Sequence, residues 1–212
     1  MNLTICVTGE TGEGDGIDSN GWLVINGGTV IAAACSNSTD AGIDSDMGIH
    51  INGGTVIASG NMLDEIADSD QTYAVFMTMD AINGGAEIAL KNEAGNNVGG
   101  TSIANDCTCI AISSADLLPG TYTLWENDEQ LKVSEMNGSM PGMPGGGKMK
   151  PEGEMPELPD GEMLQPPQRP EGERPMRQEG EAPRFPGGTM GDMEAKDEFA
   201  IKEGANMFLI AK

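Results

Sequence analysis

The sequence predicts an all-β protein: a short parallel β-helix of about two to three turns, then a small antiparallel β cap interrupted by a disordered Met/Pro/Gly/Glu-rich insertion. Three observations point there. A 17-residue segment recurs after 26 residues without a gap. Glycine accounts for 31 of 212 residues and aromatics for only 4%, so the core has to be built from Val, Ile, Ala and Leu in layers. Eleven of the 12 prolines lie between Pro141 and Pro186, which separates a proline-rich tract from the β-branched remainder.

The repeat organises residues 1–60. Gly16-Ile-Asp-Ser-Asn-Gly-Trp-Leu-Val-Ile-Asn-Gly-Gly-Thr-Val-Ile-Ala32 aligns with Gly42-Ile-Asp-Ser-Asp-Met-Gly-Ile-His-Ile-Asn-Gly-Gly-Thr-Val-Ile-Ala58, with 12 of the 17 positions identical. A fainter echo, Ile82-Asn-Gly-Gly-Ala-Glu-Ile-Ala89, follows later. A hairpin does not explain a restart at a fixed interval. One turn of a β-helix does, because each copy then pairs in parallel with the next. Stacking places Ile17 over Ile43, Leu23 over Ile49 and Ile25 over Ile51 as inward ladders. Asn26 over Asn52 would form an amide ladder at the Asn-Gly-Gly bend.

The same period sets charges in register on the outside. With Ile17 and Ile43 inward, alternation turns Asp18 and Asp44 outward, followed by Asn20 over Asp46. Stacked strands lie ~4.8 Å apart, and opposed like charges cost stability. Asp15 and Asp40 lie nearby, and residues 1–60 contain no Lys or Arg. A hard cation with flexible oxygen coordination suits carboxylates, amides and carbonyls together. We therefore expect Ca²⁺, with Asp15, Asp18, Asn20, Asp40, Asp44 and Asp46 as candidate ligands. The alternative is a solvated acidic face without bound metal. Trp22 over Gly48 is a candidate carbohydrate surface, since a flat indole beside a glycine can take a sugar ring, and His50 lies on the same outward face. A packed indole and an ordinary surface imidazole are the alternatives.

Residues 61–135 lose the period. Thr72–Met79, Ala86–Leu90, Cys109–Ser113 and Thr121–Trp125 read as short strands, and Glu93–Asn97 and Leu118–Gly120 as turns. Phe76, Tyr122 and Trp125 are the expected anchors of this antiparallel cap. Residues 136–197 have no usable period, and their composition predicts disorder. Residues 198–212 turn apolar again and are expected to return as one or two strands on the cap. Cys107 and Cys109 fall on one face of a strand, so a bond between them would be strained. Cys6 and Cys35 read as thiols in neighbouring layers. Neither a zinc set from the four cysteines nor Cu(I) on the methionines has a supporting spacing.

Charge excludes several functions. Residues 1–135 carry 20 acids against two bases, Lys91 and Lys132, and the whole chain is at −23. Nucleic acid and anionic membrane are repelled, and no apolar run is long enough to insert in a bilayer.

Gly14-Asp-Gly-Ile-Asp-Ser-Asn-Gly21 with Ile25-Asn-Gly-Gly-Thr-Val-Ile-Ala32, the second copy of both, and Ser113-Ser-Ala-Asp-Leu-Leu-Pro-Gly-Thr-Tyr-Thr-Leu-Trp125 together resemble the C-terminal half of a clostridial surface family of carbohydrate-binding proteins. The resemblance covers roughly residues 3–135. It implies a calcium-binding, right-handed parallel β-helix like that of pectate lyases, associated with cellulose or acidic pectic polysaccharide, and an extracellular or cell-surface location. Asp15, Asp18 and Asn20 fall in the family's first element, and Asp44 matches its second-turn aspartate. The sequence departs from the family in having only two clear turns and no export signal. We expect a fragment, a late-start gene product, or a subunit whose open end stacks on missing turns or another chain. The expected function is non-catalytic polysaccharide binding, with a structural or adhesive surface protein as the alternative. A polysaccharide lyase is disfavoured because residues 1–71 hold no Lys or Arg to serve as its base.

Overall fold

The computed structural model describes residues 1–8, 14–64, 66, 71–136 and 194–212. Thirteen strands and no helix occur among them, so none of the described elements is a helix able to cross a membrane. The protein is all-β with a curled mixed sheet.

The repeat forms the first part of that sheet. Strands β2 (Ile17–Ser19) and β4 (Ile43–Ser45) make a small parallel pair, and the long strands β3 (Trp22–Ala33) and β5 (Gly48–Gly60) a second one. Ile17 lies beside Ile43, Leu23 beside Ile49 and Ile25 beside Ile51, each offset by the repeat length of 26. Ile43, Ile49 and Ile51 are each 1% exposed or less. At about 25 cal/mol per Å² of apolar surface, these aliphatic layers are the main favourable term in a segment whose only aromatic residue is Trp22. The Asn-Gly-Gly elements are not turns that end strands. β3 and β5 run through them with a register shift between Ile25 and Thr29. Asn52 Nδ2 donates to Asn26 Oδ1 at 2.9 Å, an amide rung across the irregularity. Strand β1 (Asn2–Cys6) adds a further parallel strand on β3.

The second part sharpens one expectation and corrects two. First, the expected antiparallel cap continues the sheet of the repeat. β9 (Cys107–Ser114) pairs antiparallel with β5, and β6 (Tyr73–Ile82) pairs antiparallel with β9, so the sheet continues. Second, the echo at Ile82 does not stack as a third turn. Asn83-Gly84-Gly85 forms a turn, and β7 (Glu87–Asn92) pairs antiparallel with β8 (Asn97–Ser102) and β10 (Gly120–Glu126). The echo lacks the preceding Gly-Ile-Asp-Ser, and among the described residues no third strand joins β2 and β4 in the second small sheet. Third, Trp125 is not a core anchor. Its neighbours Tyr122 and Leu124 face inward, which turns Trp125 to the surface, where Lys91 Nζ lies 4.0 Å over its ring.

The chain's last residues do more than return to an edge. β12 (Phe199–Ile201) pairs with β10, and β13 (Ala205–Ala211) lies between β6 and β11 (Glu129–Glu135), parallel to the first and antiparallel to the second. Phe199 and Phe208 join Phe76 in the core, with ring centroids 4.6–5.7 Å apart. The expected disorder of 136–197 falls almost entirely on residues outside those described.

Candidate functional site

The stacked turns carry every residue the sequence singles out. Asp18 pairs with Asp44 as neighbouring Cα partners on β2 and β4. Asp18 is exposed and Asp44 half-buried. Asn20 and Asp46 follow, both exposed, and the Asp46 N–H donates to Ser19 O at 2.8 Å.

Asp15 and Asp40 have a different task. The Ala41 N–H donates to Asp15 Oδ1 at 2.7 Å, and the Gly14 N–H donates to Asp40 Oδ2 at 2.6 Å. Both bonds span 26 residues, one running up the stack and the other down. Two carboxylates thus tie the two repeat copies together through charge-assisted bonds to backbone N–H groups, the stronger kind of hydrogen bond. Asp40 is only 9% exposed, and a carboxylate so buried needs such partners. Sequence reasoning missed a third residue of this type, Asp64, whose Oδ2 accepts the Ser45 N–H at 2.9 Å. Asp64 lies beyond the repeat, so periodicity carried no signal for it.

No three His, Cys, Asp or Glu side chains among the described residues converge on a metal position. Two of the six residues expected as calcium ligands hold backbone N–H groups between turns, and Asp18 with Asp44 remains as the pair brought side by side.

Trp22 and His50 do come together. Trp22 pairs with Gly48 in register. A Cβ added at Gly48 would lie 3.3 Å from Trp22 Cζ3, so the indole leans over the glycine of the next turn. The His50 ring lies against it, centroids 5.2 Å apart and planes tilted by 50°. His50 Nε2 is buried and makes no hydrogen bond, so the imidazole contributes here through its ring. Ser45, fully buried, anchors the corner beneath: its Oγ donates to Gly21 O at 2.6 Å and accepts the Gly48 N–H at 3.0 Å. Trp22 is thereby placed on a backbone held from both turns.

None of the four cysteines forms a disulfide. Burial pushes the Cys107 and Cys109 thiols up to about 12, with the Asp106 charge adding to Cys107 and the Cys107 thiol to Cys109. Neither is a nucleophile at neutral pH. Cys6 is exposed, 3.6 Å from Asn105 Oδ1. Asn105 Nδ2 also donates to Val7 O and Ala34 O, just past the ends of β1 and β3. A depression of about 450 Å³ beside Glu126, Gln130 and Lys132 shares no residue with the stacked turns. No family model, curated protein or solved structure matches the chain.

Proposed function

We propose that this chain is a non-catalytic polysaccharide-binding module, and that residues 1–60 are successive turns of a right-handed parallel β-helix whose outward face carries the binding surface. One observation carries the proposal: the Trp22 indole leans over Gly48 and against His50 on the outside of turns locked in register. A ring supported on one side and partly exposed can stack on a pyranose at little entropic cost, because it is already held. The acidic surface around it disfavours bare anionic glycans and favours neutral chains such as cellulose. Uronate polymers enter this reading only where a cation bridges the two acidic partners. By the resemblance stated from the sequence, such a module is expected at the cell surface.

Retention on cellulose and on polygalacturonate, with and without EGTA, tests the proposal. We expect retention on cellulose that EGTA does not abolish, and a roughly tenfold loss in Trp22→Ala, equivalent to about 1.4 kcal/mol. Absence of retention on either polymer by the folded protein would overturn the binding function and leave a structural or adhesive role. Unchanged retention of Trp22→Ala would remove Trp22 from it.

Calcium belongs to this proposal only as a counter-ion to Asp18 and Asp44. Relief of opposed like charges is worth roughly 0.2–1 kcal/mol, so Asp18→Asn is expected to melt slightly above the parent in EDTA. Added Ca²⁺ should close that gap by raising the parent alone. Equal effects of Mg²⁺ and Ca²⁺ would reduce the metal to screening.

A further inference from the structure

We propose that the Asn26–Asn52 amide pair is a second contact for the polysaccharide, so that an extended neutral glycan lies along β3 and β5 from Trp22 to the Asn-Gly-Gly bend. It rests on the reading of Trp22 as a binding residue, and adds to it the ligand's course, its need for length and its lack of charge.

Alternation sets these contacts on one face. Ile25, Ile49 and Ile51 are buried in the inward ladder. Trp22, Val24 and Asn26 of β3 therefore turn outward, as do Gly48, His50 and Asn52 of β5. Trp22 lies beside Gly48 and Val24 beside His50. Past the register shift, Asn26 and Asn52 are joined through their side chains and are both exposed.

The bond between the two amides fixes what they offer. Asn52 Nδ2 donates and Asn26 Oδ1 accepts, which directs Asn26 Nδ2 and Asn52 Oδ1 to other partners. No bond to either atom is made among the described residues. A donor and an acceptor side by side match the neighbouring hydroxyls of a sugar, each of which both donates and accepts. Because each amide holds the other, little side-chain freedom is lost when a ligand binds.

Charge gives the course its direction. β3 and β5 contain no Asp, Glu, Lys or Arg, in a chain of net charge −23. A glycan running from Trp22 toward the bend meets amides. One running the opposite way meets Asp46 and the Asp18–Asp44 pair of β2 and β4. Trp22 and Asn26 are four residues apart in one strand, about 13 Å at ~3.3 Å per residue. That is longer than a single pyranose, so only a chain of several linked sugars reaches both contacts.

Calorimetric titration of the full chain with cellobiose and with cellohexaose tests this. Cellohexaose should bind at least tenfold more tightly. Asn26→Asp keeps the acceptor for Asn52 and removes only the donor that faces the ligand; Asn52→Ala removes the pair. Each should weaken cellohexaose roughly fivefold, as expected for a neutral hydrogen bond. Both should leave cellobiose, held at Trp22, unchanged, which also shows that the turns remain folded. Trp22→Ala should weaken both sugars. Equal affinities for the two oligosaccharides, or cellohexaose binding insensitive to both asparagine variants, would overturn the proposal and leave Trp22 a binding residue. Retention on cellulose without affinity for cellohexaose would overturn it too. Failure to bind either sugar together with failure to be retained on cellulose would instead overturn the reading on which it rests.

Discussion

Phe208→Ala is expected to lower stability by about 3–5 kcal/mol, the usual cost of deleting a buried phenyl ring. Phe208 is 1% exposed. It stacks on Phe76 at 5.3 Å between centroids and 16° between planes, and meets Phe199 at 4.6 Å. Among the described residues these three rings contact one another in a core whose other members are mostly aliphatic. Phe208 also sits on β13, the strand that joins β6 to β11 in the middle of the sheet. The midpoint of urea unfolding should therefore fall by a large fraction of its value, since whole domains are stable by only ~5–15 kcal/mol. Phe208→Leu, which keeps most of the volume, should recover more than half of the loss. A decrease below about 1 kcal/mol for Phe208→Ala would mean that β13 is not the keystone of the sheet.

The second large effect is expected at Gly54. Its φ of +92° disfavours any side chain, and a Cβ there would press on the carbonyl oxygen of Gly28 and come within 2.8 Å of Gly27 C. Both atoms are backbone of the preceding turn and cannot swing aside. Gly85, in the echo of the same motif, has a nearly identical φ of +90° but open space around the added Cβ. Gly85→Ala should therefore cost only the left-handed backbone penalty, roughly 1–2 kcal/mol. Gly54→Ala should cost at least about 3 kcal/mol, because the two turns must also separate. Paired melting curves of the two variants isolate the close approach from the torsional term. Equal losses would show that the turns can shift apart freely.

That pair of glycines also marks how far the sequence could be read. Local pattern alone placed Asn-Gly-Gly three times, and the backbone at Gly54 and Gly85 is indeed alike. Only the first two occurrences are followed by strands that stack, because only they share the preceding Gly-Ile-Asp-Ser that pairs on the second small sheet. The candidate site was legible in the same uneven way. Trp22 and His50 were recognisable as outward residues from alternation, and their ring contact follows from the register of β3 on β5. The roles of Asp15 and Asp40 were not legible. Periodicity could count their charges, but the direction of each carboxylate depends on how the chain enters a turn, and here both point at N–H groups of the adjoining one. Gln71 is a further case: its Nε2 donates to Gly54 O and to Ser113 Oγ, bridging the repeat to β9 from a position with no pattern of its own.

By itself the sequence determined the parallel register of the two turns. Identical residues 26 apart present identical shapes, and a slip by one residue would turn every Ile of the ladder outward. It also determined the aliphatic layers of the repeat, where Ile43, Ile49 and Ile51 are buried. The tertiary structure alone decided where β12 and β13 join the sheet and which carboxylates become clamps. Those outcomes depend on contacts between segments far apart in the chain, where each strand meets whichever neighbour best completes its hydrogen bonds and covers its apolar side. Local spacing carries no record of that competition.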